Sequence, residues 1–216
     1  MAHQRRFGAA LVFASALIVG AAAGTAQAVT TGNLLDNGSA QDAPSLQPWV
    51  LYSPYCAGAS RTFVIRRYTQ SDVPGDGPRF GKTLFSASNS AGDTSPKCMG
   101  QLIDLGPYRS HIYTGGAGWR LSAYMGVGND PDTDELRSSA CFLDYNFNLI
   151  RHCKSGPHTA GPSSDSLALY SETGGVPVAA QYVVVLFFAF DNTNDPAHPD
   201  FRNRGCFDQA KFKLDW

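Results

Sequence analysis

The feature that most constrains this chain is the scarcity of helical periodicity, because no long segment repeats apolar residues at the spacing of an amphipathic helix. Short runs rich in β-branched and aromatic residues instead alternate with turns rich in Gly, Pro, Asn, Asp and Ser. This pattern predicts an all-β sandwich or barrel. The expected strands are Asn33–Leu35, Trp49–Ser53, Thr62–Tyr68, Lys82–Ala87, Met99–Leu105, Trp119–Val127, Glu135–Tyr145, Asn148–Cys153, Leu167–Ser171, Gln181–Asp191 and Cys206–Leu214, and we expect Lys154–Asp165 to be a loop.

Two of these segments also indicate which faces are buried. Trp119–Met125 alternates apolar and polar residues, as a half-buried strand does. Tyr182–Phe190 is apolar on both faces, with Val183, Val185, Phe187 and Ala189 on one and Val184, Leu186, Phe188 and Phe190 on the other. We expect a central strand whose second face is covered, and an exposed apolar ligand groove is the alternative.

Residues 1–28 are typical of a cleavable signal peptide. Arg5 and Arg6 precede a short apolar stretch, which ends in the small-x-small sequence Ala26-Gln27-Ala28. The apolar stretch is short for a membrane span of ~20 residues, so we expect cleavage, no membrane insertion afterwards and a secreted, extracellular location. An uncleaved anchor is the alternative, and the residues around the two arginines fit a twin-arginine signal poorly.

The remaining residues 29–216 suit a single domain. Without Arg5 and Arg6 the chain keeps 15 basic residues against 18 acidic ones, a net charge of −3. A nucleic-acid-binding surface has a basic excess, so we expect no nucleic-acid partner.

All five cysteines lie in this part of the chain, and disulfides are the usual state of cysteine in an exported protein. No CxxC spacing supports a zinc site. The segment from Cys141 to Cys153 is typical of a hairpin centred near Phe147, which places these two cysteines opposite each other and within disulfide reach. We assign Cys56 to Cys98 as the second pair, which leaves Cys206 over, either as a thiol or for an intermolecular bridge to a partner.

Several segments together resemble a known family. The opening Asn33–Gln41 and Trp49 are similar to the "N-L-L-x-N-G-x-x-E … W" start of galactose-binding-like jelly-roll domains, of which carbohydrate-binding modules are one large branch. The later family-like segments are Gln101–Leu105, Arg120–Tyr124, Phe142–Asp144 and Gly205–Phe212. The resemblance implies a two-sheet antiparallel jelly-roll sandwich with adjacent first and last strands. It also implies saccharide binding on a sheet face or in end loops.

The resemblance further implies a structural calcium ion near the paired termini. Gln41 stands where the family has Glu, and Asp208 matches the closing Asp, so these two are the expected ligands. A hydrogen bond to the first strand is the alternative role of Asp208. A hard cation prefers charged oxygen ligands, and Gln41 offers only a neutral one. A separate loop spaces Asp130, Asp132 and Asp134 at every second position, as calcium loops do, and a solvated acidic turn is the alternative.

Saccharide binding needs flat aromatic faces and planar polar groups, so we choose candidate binding residues that carry them. Trp49 and Trp119 we expect in the core. The expected ligand-binding residues are Tyr52 and Tyr55 in the first long loop, Arg120 and Tyr124 on the polar side of their strand, and Asp191 and Asn194 in a polar end loop.

No catalytic motif is present in the sequence, neither a GxSxG elbow nor an HExxH pair. We therefore expect a secreted, non-enzymatic module that binds carbohydrate or cell-wall polysaccharide. An extracellular structural or protein-interaction protein is the alternative, and a small secreted glycan hydrolase is a third possibility.

Overall fold

Antiparallel strands dominate the computed structural model, which describes residues 28–41, 46–59, 63–68, 83–87, 95–127, 135–150, 153–159, 167–190 and 205–216, with only the backbone at 127 and 154–159. The strands are β1 Val64–Arg67, β2 Thr83–Ser86, β3 Lys97–Asp104, β4 Gly118–Val127, β5 Glu135–Leu143, β6 Lys154–Thr159, β7 Ala168–Gly175, β8 Tyr182–Phe190 and β9 Gly205–Asp215. A 3-10 turn, Gly106–Tyr108, leads into the short helix α1, Arg109–Tyr113. Within these described residues, no helix has the length and apolar character needed to cross a membrane.

The strands form two sheets, and neighbouring strands in each sheet are antiparallel. In the described part of the chain, one sheet has five strands in the order β1-β2-β9-β4-β7, and the other has four in the order β3-β8-β5-β6. This architecture confirms the predicted two-sheet antiparallel sandwich.

The core lies between the inner faces of the sheets. Val183, Val185 and Phe187 of β8 are fully buried there, with 0% exposed surface each. Phe187 stacks on Phe207 of β9 across the sandwich, with ring centroids 4.0 Å apart. Trp49 and Trp119 are each 2% exposed, which confirms their expected place in the core.

The opening segment attaches to β9 without becoming a strand. The Asn33 side chain accepts a hydrogen bond from the Phe212 N–H (2.9 Å) and donates one to the Ala210 carbonyl (3.1 Å). A Cβ on Gly38 would lie 2.2 Å from that carbonyl oxygen, so only glycine fits there. The predicted strand Asn33–Leu35 is wrong, because the segment is held mainly by these side-chain bonds. Its backbone contributes the hydrogen bond from the Leu34 N–H to the Phe212 carbonyl.

The two ends of the described chain pair with each other. Val29 and Trp216 exchange backbone hydrogen bonds of 2.9 and 3.0 Å, and the Thr31 N–H donates to the Leu214 carbonyl at 2.9 Å. The first and last segments are therefore neighbours, as the family resemblance implied.

Two further predictions about strands are wrong. Trp49–Ser53 is reduced to one bridge, between Val50 and Gly100. The described part of Asn148–Cys153, residues 148–150 and 153, forms one bridge, from Leu149 to Leu143, and no strand. The Asp144 carboxylate accepts the N–H groups of Asn146 and Asn148 at 2.8 and 2.9 Å and closes a tight turn there. Strand β6 begins only at Lys154, inside the segment that we expected to be a loop.

Candidate functional site

The second face of β8 is partly covered and partly open. Val184 and Leu186 have 0% and 1% exposed surface, because the loop 51–59 packs over them. Phe188 and Phe190, further along the same face, are only partly buried. Each of the two expectations for this strand therefore holds for one half of it. The first half of its second face is covered, as in a central strand, and an apolar groove opens along the last residues.

Two disulfides hold this arrangement. Cys56 is bonded to Cys98 of β3, with Cα atoms 5.5 Å apart, and fixes the loop on the sheet. Cys141 is bonded to Cys153 with a Cα separation of 4.3 Å. The structure therefore contains both pairs that the sequence predicted.

A glycine lets the loop approach the sheet face. A Cβ built on Gly100 would lie 2.6 Å from the Leu186 Cδ2 atom and 3.1 Å from the Tyr52 Cβ atom. Any larger residue there would push Tyr52 away from β3 and β8. Gly100 is thus part of what positions the aromatic loop over the sheet.

A groove of about 230 Å³ lies between this loop and the open half of β8. We call it the β8 groove. Its lining residues come from the loop, β5 and β8, and include Tyr55, Arg137, Ser139, Leu186, Phe188 and Phe190.

Aromatic rings dominate two sides of the β8 groove. The rings of Phe188 and Phe190 are nearly parallel, 8° apart in plane with centroids 5.9 Å apart. Tyr55 faces them from the loop and packs beside Tyr52, with a centroid distance of 6.1 Å. Burial raises the pKa of both tyrosines, so both phenols stay protonated at neutral pH and keep an O–H donor.

Arg137 supplies a fixed charge in the same groove. Its guanidinium carbon lies 5.3 Å from the centre of the Phe190 ring, within cation–π distance. The guanidinium also donates to the Glu135 carboxylate, and this hydrogen bond raises the pKa of Arg137. The Arg137 side chain keeps 42% of its surface exposed, so the held group still faces solvent.

The structure does not bring the predicted ligand residues into one site. Tyr52 and Tyr55 lie beside the β8 groove, whereas Arg120 and Tyr124 lie on the outer face of the other sheet. Tyr124 packs there against Leu84, Leu167 and Cys206. Asp191, Asn194 and the acidic loop residues Asp130, Asp132 and Asp134 lie outside the described residues.

Gln41 and Asp208, the two expected calcium ligands, both form hydrogen bonds within the protein, and a calcium ion there stays a prediction. The Gln41 amide nitrogen donates to the carbonyls of Ser39 and Thr83 at 2.6 and 2.9 Å. The Asp208 carboxylate accepts the Tyr68 O–H and the Gln209 N–H. No group of three or more His, Cys, Asp or Glu suited to a metal occurs in the described part of the chain.

Cys206 takes part in neither disulfide and is 3% exposed. Its sulfur lies 3.2 Å from an Arg66 guanidinium nitrogen and 3.6 Å from the Ser86 hydroxyl. Burial on the covered part of β9 argues against the expected intermolecular bridge, because a partner's sulfur has no access to this thiol in the folded state.

Sequence reasoning missed Arg137, Ser139, Phe188 and Phe190 as site residues. The apolar second face of β8 carried the signal for the two phenylalanines. Arg137 had no such signal, because its role depends on the pairing of β5 with β8, which sets it directly opposite Phe188.

No protein-family model and no curated protein matches this sequence. Among solved structures, the enzymatically active domain of tailspike protein 4 from bacteriophage CBA120 superimposes with a TM-score of 0.53 at 17% identity, covering 83% of this chain and 21% of the tailspike chain. The chain thus matches about a fifth of that protein. A family 16 carbohydrate-binding module superimposes with a TM-score of 0.52 at 13% identity, covering 83% of this chain and 99% of the module.

Identities this low bear on the fold alone. The second match is informative about extent, because nearly the whole module aligns with one sandwich of this chain. The described chain is therefore a jelly-roll β-sandwich like that of a carbohydrate-binding module, as the sequence motifs predicted.

Proposed function

We propose that this protein is a secreted carbohydrate-binding module and that the β8 groove holds the saccharide. The observation that carries the proposal is the groove itself, in which Tyr55, Phe188 and Phe190 present ring surface beside the exposed guanidinium of Arg137. Apolar sites with a few fixed polar groups are typical of small-ligand binding. The structural similarity to a family 16 carbohydrate-binding module supports the same function.

The chemistry of a sugar ring matches these groups. Its C–H patches pack on flat aromatic rings, and its hydroxyls accept from Arg137 and from the phenol of Tyr55. The partner Glu135 restrains the guanidinium, which lowers the entropy lost when a ligand binds. The two disulfides beside the groove support an extracellular setting, where such bonds persist.

Binding to a panel of insoluble and soluble neutral polysaccharides tests the proposal, with calcium and with a chelator in parallel. We expect one or more glucans, xylans or mannans to bind the wild type. Tyr55→Ala and Arg137→Gln should each weaken that binding about tenfold, the value of ~1.4 kcal/mol per lost contact.

Tyr113→Ala is the matched control, because Tyr113 is an aromatic residue on α1 with 69% of its surface exposed. Circular dichroism and thermal melting establish that each variant is folded. The proposal fails if no polysaccharide binds above a denatured control. It also fails if both groove variants bind as tightly as Tyr113→Ala.

A further inference from the structure

A second depression lies on the outer face of the five-stranded sheet, on the opposite side of the sandwich from the β8 groove. It has a volume of about 260 Å³ where β4 and β9 run side by side. The residues that line it include Thr30, Arg120, Ser122, Lys211, Lys213 and Asp215.

Three cations are concentrated here, and we call Arg120, Lys211 and Lys213 the basic patch. Arg120 lies directly opposite Lys213 in the β4–β9 register, and Ser122 lies opposite Lys211. Like charges directly opposite each other on neighbouring strands destabilise a sheet. Within the described residues none of the three forms an ion pair, so no direct ionic contact offsets this repulsion there.

Asp215 also lines the depression, and within the described residues its carboxylate forms no ion pair with the basic patch. Its Oδ1 atom is buried without a hydrogen-bond partner among the described residues and lies close to Gly118, where a Cβ would come within 2.4 Å of it. The lining side chains carry three positive charges and one negative charge, in a chain whose charge after signal removal is −3.

Hydroxyl groups continue the surface on the next strand. The β4–β7 register places Thr173 opposite Arg120 and Ser171 opposite Ser122, and both β7 residues are exposed. Cations therefore lie beside a row of hydroxyls on a hydrogen-bonded sheet. A ligand that fits carries anionic groups together with many hydroxyls.

We infer that the basic patch binds the anionic groups of an acidic polysaccharide, either carboxylates or sulfate esters. Arg120 pairs with such a group through its planar fork, and Lys211 and Lys213 act as point charges. Ser122 and the β7 hydroxyls contact the sugar hydroxyls. The exposed hydroxyls of Ser171 and Thr173 beside the cations favour a ligand rich in hydroxyl groups over nucleic acid.

Affinity electrophoresis and calorimetry with polygalacturonate, sulfated dextran and neutral dextran test the inference. We expect one of the two anionic polymers to bind and neutral dextran not to bind at this face. Binding should weaken as salt rises from about 0.05 to 0.5 M, because exposed charges are screened. Which polymer binds distinguishes carboxylate from sulfate recognition.

The double variant Lys211→Gln/Lys213→Gln should lose at least about tenfold in affinity, and Arg120→Gln should lose a similar amount. The matched control is Arg67→Gln/Arg109→Gln, which removes the same charge from exposed residues elsewhere. The inference is overturned if neither anionic polymer binds, if the patch variants bind like wild type, or if the control loses as much affinity. Tyr55→Ala should leave acidic-polymer binding intact, so this site and the β8 groove fail or succeed separately.

Discussion

Asp208 is a carboxyl group with 0% exposed surface on strand β9. Burial raises its pKa from 3.8 to about 7, although hydrogen bonds from the Tyr68 O–H and the Gln209 N–H act in the opposite direction. The two donors supply partners for both carboxylate oxygens without supplying a charge. At neutral pH the Asp208 carboxyl is therefore near the midpoint of its titration.

The pH dependence of stability follows from this shift. The folded protein holds the Asp208 proton more tightly than the unfolded chain does. The contribution of this proton to the free energy of unfolding is therefore complete below about pH 4 and is lost as pH rises to about 7. Between pH 4 and pH 7.5 we expect the free energy of unfolding to fall less in Asp208→Asn than in wild type. The two decreases should differ by more than ~1.4 kcal/mol, the value of one pKa unit.

Urea unfolding at several pH values measures this difference. Asp36→Asn, which changes an exposed carboxylate, serves as the control. An Asp208→Asn slope equal to that of wild type would show that the buried carboxyl does not titrate in this range.

At the scale of elements, the family-like motifs prove to be structural. Gln101 bridges to the backbone of Asp36 with two hydrogen bonds, of 2.8 and 3.0 Å, and the Trp49 indole donates to the Asn37 carbonyl at 3.1 Å. With Asn33 and Gly38, these residues fix the opening segment against both sheets. Such motifs predict the fold well and carry little information about the ligand.

The misses among the strands have physical causes. Strand β6 has the sequence Lys-Ser-Gly-Pro-His-Thr, which lacks the apolar alternation of a half-buried strand, and it forms by backbone pairing along β5. The register also moves by two residues between the bridge Leu143–Leu149 and the pair Ala140–Lys154, which periodicity cannot reveal. The β8 groove was only half predictable, because its open length depends on where the loop 51–59 stops.

The Cys56–Cys98 bond controls that loop, so its removal should affect both stability and ligand binding. Across a separation of 42 residues, loop entropy gives a stabilisation of about 4 kcal/mol. We expect Cys56→Ala/Cys98→Ala to lose up to this amount in urea unfolding and to bind saccharide more weakly, because Tyr52 and Tyr55 are no longer held on the sheet.

Cys206→Ala is the matched control, since that cysteine lies outside both disulfides and away from the groove. Full saccharide affinity in the double variant would show that the loop is positioned without its disulfide.

At the scale of the whole molecule, the two sheets present different outer surfaces. The four-stranded sheet carries an aromatic groove and the five-stranded sheet carries a basic patch. The two proposed sites lie on opposite sides of one core, so a variant in either is expected to leave the other unchanged.

Export gives a further prediction at this scale. We expect the secreted protein to begin at Val29, since cleavage after Ala28 removes the apolar leader and retains the pairing of Val29 with Trp216. Intact-mass measurement on protein from the culture medium checks the cleavage site. Recovery of the full-length chain in the membrane fraction would favour the uncleaved anchor instead.

The pairing of Val29 with Trp216 also sets how the sandwich responds to mechanical force. Val29 and Trp216 lie at the same end of one antiparallel ladder, whose hydrogen bonds run across the strands. A pull applied at these two residues loads the bonds one after another, starting with the terminal pair, and does not shear them together. Tension along the chain would therefore peel the opening segment from β9 at low force, well before the two sheets separate.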